Sequence, residues 1–110
     1  MDGVVVLDDA SCFRDLGRLA NLALRHRLPT VCGNWNFAKA GGLMTYSVNR
    51  ADTVRQVASY VDKLLRGANP AELPVEQPTK FQTVINLKAA RALVLTVPQS
   101  LLLRTDEIIQ

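Results

Sequence analysis

Three short clusters hold most of the side chains in this sequence that could meet a small molecule. Asp8, Asp9 and Ser11 stand directly after an apolar run; a carboxylate there accepts hydrogen bonds from an ammonium group, and a hydroxyl serves either polarity. The same three residues also satisfy ordinary turn and capping chemistry, so both readings stand at this point. Asn34, Trp35, Asn36 and Phe37 set two amides beside two aromatic rings. That mixture can stack on a flat solute and fix its polar atoms, or it can close off a core. Trp35 is the sole Trp of the chain and falls in a loop rather than on an apolar stripe. Tyr46 and Ser47 lead into Asn49, which precedes a helical pattern whose first backbone N–H groups could receive an anion. Core packing is the competing role for Tyr46.

Covalent or metal chemistry has little to build on. The single histidine, His26, has no second histidine with which to make a metal site or a triad. Cys12 and Cys32 lack the close pairing of a redox or zinc motif, and Cys12 shares a stripe with Leu16 and Leu19, which reads as a small buried hydrophobe. Whether the two thiols join is open. The chain has no phosphate-binding glycine loop and no nucleophile elbow, and Gly41-Gly42 precedes a strand pattern instead of opening a helix. The expectation is a binding protein with no cofactor, no metal and no enzymatic activity.

The elements that must carry these clusters follow from periodicity. Residues 3–7 form a short continuous apolar run rich in Val, the pattern of a strand covered on both faces. Residues 12–27 repeat Cys12, Leu16, Leu19, Ala20, Ala23 and Leu24 at helical spacing, with Ser11 as a candidate N-cap. Residues 29–33 give a second strand, so the first 33 residues make a strand–helix–strand unit with parallel pairing and a right-handed crossover. Residues 34–40 read as a short helix or turn and residues 43–47 as a third strand. Asn49, with Asp52 three positions on, opens a long helix whose stripe of Val54, Val57, Ala58, Val61, Leu64 and Leu65 stops at Gly67. Residues 67–78 contain Pro70, Pro74 and Pro78 and read as an extended connection. Beyond it, residues 81–87 read as a strand or a strand running into a helix, residues 88–93 as a short helix, and residues 98–109 as a terminal helix opened by Pro98. The three loops holding the candidate clusters then lie at the carboxyl ends of the strands, where open α/β sheets bind ligands.

At 110 residues the chain fits one compact domain. The division expected is a ligand-binding α/β lobe over residues 1–69, with a Pro-rich crossover and tail over residues 70–110 packing on the same or a partner lobe. Net charge is +3, with the basic residues scattered; Arg25, His26 and Arg27 cluster where a helix ends, a position that favours cations. No stacking aromatics accompany them, so nucleic acid is not an expected partner. No apolar run reaches the ~20 residues of a membrane span, and residues 1–7 lack the basic region and cleavage site of a secretion signal.

Several long blocks in order carry a family resemblance. Arg27-Leu28-Pro29-Thr30-Val31, then Phe37-Ala38-Lys39-Ala40-Gly41-Gly42-Leu43-Met44-Thr45-Tyr46-Ser47, resemble ABC transporter substrate-binding proteins related to tryptophan and tyrosine binders. Tyr60-Val61-Asp62-Lys63-Leu64-Leu65-Arg66-Gly67-Ala68-Asn69-Pro70 and Leu73-Pro74-Val75-Glu76-Gln77-Pro78 are similar to the same family, as is the ending from Pro98 to Glu107. The resemblance implies a three-layer, parallel-sheet lobe of the type I periplasmic-binding-protein fold, corresponding to the C-terminal portion of a longer two-lobed protein. It implies a small organic solute held between lobes, with amino acids, aromatic or aliphatic, among the candidates, an ABC permease as partner of the full-length parent, and a periplasmic location for the family. By position it makes Asp9, Ser11, Asn34, Trp35 and Tyr46 the ligand contacts, with a departure at Asn36, where many relatives carry Glu. If the tail normally packs on an absent lobe, Leu101, Leu102, Ile108 and Ile109 are exposed, and a homodimer formed by exchange of the tail is expected. The alternative is a stand-alone cytosolic module of flavodoxin-like or receiver-like shape, although no Lys follows the third strand.

Overall fold

A computed structural model describes residues 2–110. The apolar run forms β1, Val4–Val6, and Asp8 and Asp9 end it by turning the chain. Asp9 accepts a hydrogen bond from the Ser11 backbone and so caps α1, Ala10–Phe13. The cap is thus Asp9 rather than Ser11. The single helix expected over residues 12–27 is broken: α2 spans Leu16–Arg25 and starts from Asp15, whose φ of -121° is not helical. The Asp15 N–H already turns back to the Cys12 carbonyl at 3.2 Å, closing a three-residue turn between the two helices. Leu16 and Ala20 of α2 are buried, and with β2, Thr30–Cys32, and the loop beyond it they build a core of Leu16, Ala20, Cys32 and Phe37. Each large side chain removed from water there contributes about 1.5–3 kcal/mol.

β1 and β2 are parallel, with Val4, Val5 and Val6 opposite Thr30, Val31 and Cys32. β3, Met44–Val48, pairs parallel to β2 with Cys32 opposite Thr45. The loop between them, residues 34–41, is a succession of turns rather than a helix. Its course is fixed by the Thr45 hydroxyl, which accepts from the Ala38 N–H at 2.9 Å, and by Gly42, where an added Cβ would lie 2.1 Å from the buried Phe37 ring. β4, Phe81–Asn86, and β5, Glu107–Ile109, complete a five-stranded sheet in the order β1-β2-β3-β4-β5. The fold is α/β, as expected.

The tail departs from its sequence pattern. Residues 98–109 are not one helix: α5 is confined to Gln99–Leu103, and Glu107, Ile108 and Ile109 pair in parallel with Val84, Ile85 and Asn86. Asp106 drives the change, since its N–H donates to the Thr83 carbonyl at 2.9 Å and its carboxylate accepts from the Thr83 N–H at 2.8 Å. Leu101, Leu102 and Ile109 are half-buried, and Ile108 is 38% exposed. α4, Leu87–Ala92, is capped by Asn86, whose Oδ1 accepts from the Ala89 N–H while its Nδ2 donates to the Ala38 carbonyl.

By packing, the chain falls into two compact units: the part up to Ser47 together with Gln82–Gln110, and Val48–Phe81. The second unit is built on α3, Arg50–Leu65, capped by Asn49 accepting from the Asp52 N–H at 3.2 Å. Asp52 also pairs with Arg55 at 3.0 Å and Lys80 at 3.7 Å. The Tyr60 hydroxyl donates to the Pro74 carbonyl, so the Pro-rich stretch runs beside the helix. The apolar stripe of α3 is left open, with Val54, Val57, Val61, Leu64 and Leu65 between 41% and 84% exposed.

Candidate functional site

Where β1 and β2 end, their two loops meet in an open cleft of about 400 Å³ lined by Asp8, Asp9, Ala10, Phe13, Asn34 and Trp35. Parallel pairing brings this about, because two strands running the same way deliver both of their outgoing loops to one edge of the sheet. Asn34 is the pin between them. It is buried, 3% exposed, its Nδ2 donates to Asp8 Oδ1 at 3.2 Å, and its Oδ1 accepts from the Asn36 N–H at 2.9 Å. Its own N–H donates to the Cys32 sulfur at 3.4 Å. Gly33 allows this approach, since an added Cβ would sit 3.2 Å from the Asp8 nitrogen.

Asp9 holds the other side of the cleft. Its Oδ1 accepts from the Ser11 N–H at 2.8 Å and from the Ser11 hydroxyl at 2.9 Å. These two donors, the backbone amide first, keep the Asp9 carboxyl below the ordinary aspartate range. Cys32, beneath the cleft floor, is shifted the other way: burial above all, then the nearby Asp8 and Cys12, raise its thiol, while the Asn34 and Gly33 amides oppose the rise. Two aromatic rings face across the cleft, Phe13 and Trp35, with centroids 6.4 Å apart and planes inclined at 53°.

Of the five expected contacts, Asp9, Asn34 and Trp35 lie together here. Asn34 serves mainly to tie Asp8 to the loop. Ser11 is turned to Asp9 and borders a separate apolar hollow with Cys12, Asp15, Arg18, Leu19 and Leu22. Tyr46 does not line the cleft; it stands within β3, 51% exposed, on the face opposite buried Thr45 and Ser47. The expected set omits three lining residues, Asp8, Ala10 and Phe13. Phe13 falls off the Cys12-Leu16-Leu19 stripe, and an aromatic off the apolar stripe, close to a pair of acidic residues, was the available signal.

Comparison with solved structures places this fold. A conserved domain protein from Vibrio cholerae superposes with a TM-score of 0.88 at 23% identity, covering 97% of this chain and 36% of that one. An ABC domain in complex with L-Trp from Streptococcus pneumoniae gives 0.87 at 24%, covering 99% and 38%. A ligand-free, open substrate binding protein with adhesive properties from Clostridium difficile gives 0.69 at 16%, covering 97% and 36%. The chain therefore spans little more than a third of the length of these structures. None of the curated proteins matches the chain significantly. The family model described as ABC transporter substrate binding protein matches residues 1–109, and the chain belongs to that family.

Proposed function

We propose that this chain forms one wall of a solute-binding site: it holds a small organic molecule without covalent chemistry, and a second lobe supplies the opposite wall. The observation that carries the reading is the cleft of Asp8, Asp9, Phe13, Asn34 and Trp35 at the carboxyl edge of β1 and β2. It pairs ring faces with a few fixed polar atoms, the usual composition of a small-molecule site. Family membership supports transport rather than catalysis as the setting, with an ABC permease receiving the solute outside the cytoplasm. An amino acid, aromatic or aliphatic, is the solute class that the pneumococcal L-Trp complex supports.

One wall gives weak affinity, because half of the contacts are absent while the cost of immobilising the solute remains. A solute at a concentration equal to its Kd adds only about 0.4 kcal/mol of stability. Tryptophan, tyrosine, phenylalanine or leucine at low concentration should therefore leave the melting temperature of the 110-residue chain nearly unchanged. At high concentration they should shift the backbone amide resonances of residues 8–13 and 34–35 in saturable fashion. Strong thermal stabilisation at low concentration would contradict the one-wall reading; amide shifts confined to other residues would contradict the site.

A further inference from the structure

Along the sequence the basic residues are scattered, but their excess over the acidic ones is not. Residues 14–27 hold four arginines and one aspartate, a net charge of +3, while the rest of the chain holds nine basic and nine acidic residues and is neutral. The whole net charge of the molecule therefore falls on α2 and its two ends. Arg14, Arg18, Arg25 and Arg27 are all exposed. Arg18 and Arg25 are seven residues apart, two helical turns, and so lie on one side of α2 about 10 Å apart, opposite the buried Leu16 and Ala20. Leu22 is 40% exposed between them. Among the described residues the ion pairs belong to Lys39, Arg55, Arg66 and Lys80, and none takes an arginine of this segment.

Helix electrostatics accounts for only half of this set. Arg25 stands in the last turn of α2, with Arg27 beyond it, where the negative end of the helix favours a cation. Arg18 stands in the first turn and Arg14 just ahead of it, where the same dipole opposes one. The helix itself gains nothing from these two. All four residues are arginines, whose planar fork binds phosphate oxygens in pairs.

We infer that the outer side of α2 is a docking surface for an anionic phospholipid bilayer, with these arginines against headgroup phosphates and Leu22 at the edge of the acyl layer. Lipid fits better than a folded acidic partner. Headgroups move in the plane of the membrane and gather under guanidinium groups spread along a convex helix, whereas a rigid surface must hold its carboxylates in register with them. The family serves a membrane transporter, so its members work beside a bilayer. The inference uses no residue of the cleft beyond β1 and β2 and stands apart from the solute proposal.

The test is co-sedimentation of the 110-residue chain with vesicles at millimolar lipid and low salt. Vesicles of phosphatidylglycerol and phosphatidylcholine in equal parts should carry the chain down; vesicles of phosphatidylcholine alone should not. Each basic residue close to an anionic leaflet contributes about fivefold in partition, so Arg18→Gln with Arg25→Gln should weaken it roughly twenty-five-fold. Both side chains are exposed, so the fold is retained. Arg55→Gln with Arg66→Gln, on and just after α3, removes the same charge and should weaken it by no more than about threefold. Salt at roughly 0.5 M should release the chain, because the screening length falls to about 4 Å. Equal sedimentation with both kinds of vesicle, or with neither, overturns the inference, as do equal losses in the two double variants. Binding of poly-glutamate without binding of vesicles also overturns it and assigns the surface to an acidic protein instead.

Discussion

At the scale of single residues, the loop that supplies Asn34 and Trp35 depends on one close packing. The Phe37 ring is fully buried, and a Cβ at position 42 would come within 2.1–2.4 Å of three of its atoms. A ring held in a core cannot swing away, so Gly42→Ala should cost about 1–3 kcal/mol. That lowers the melting temperature by ~4–8 °C per kcal/mol for a domain of this size; an unchanged melting curve would show that the ring has another place to go. The thiols give a second expectation. Cys32 is 1% exposed and its thiol is pushed up by burial, so a thiol reagent should label half-buried Cys12 in the native protein and reach Cys32 only after denaturation. Equal rates at both would refute the buried placement. In the sequence, the acidic turn and the amide–aromatic loop are visible as residue types in suggestive places. That Asn34 would be consumed in tying Asp8 down, or that Phe13 would turn toward Trp35, depends on which loops the sheet brings together, and neighbouring residues do not encode that.

At the scale of elements, α3 and the tail behave oppositely. The helix is legible because its determinants are local: Asn49 caps it, Asp52 sits in the first turn, and Gly67, at φ +99°, ends it. Asn49→Ala should cost about 1 kcal/mol, measured by denaturant unfolding of the whole chain. Its apolar stripe announces that something covers it without stating what. Since Val57 and Val61 are 56% and 48% exposed, Val57→Ser with Val61→Ser should change stability by no more than about 0.5 kcal/mol per site. The same pair should reduce self-association in sedimentation, because a large open apolar patch promotes it. A large loss of stability would mean that the stripe is covered within the monomer. The tail misleads because Leu101 and Leu102 carry a helical pattern that holds for only one turn and a half. The pairing of Asp106 with Thr83 lies 23 residues away in sequence, and a non-local bond of that kind overrides local propensity.

At the scale of the whole molecule, the parallel α/β arrangement was readable from the Val-rich run, the amphipathic helix and the next apolar run. Parallel pairing then delivers the candidate loops to one edge. The extent of the binding site was not readable in that way. It follows from comparison, because structures that superpose on nearly all of this chain are close to three times its length. In the function proposed above, the wall of Asp8, Asp9, Phe13, Asn34 and Trp35 is the part of the site that this chain supplies. The most direct measurement of that claim is an intermolecular nuclear Overhauser experiment with phenylalanine at high concentration and the 110-residue chain. Ring protons of the solute should show contacts to Phe13 and Trp35. Contacts to Tyr46, to Phe81 or to the methyl groups of α3 in their place would contradict the account.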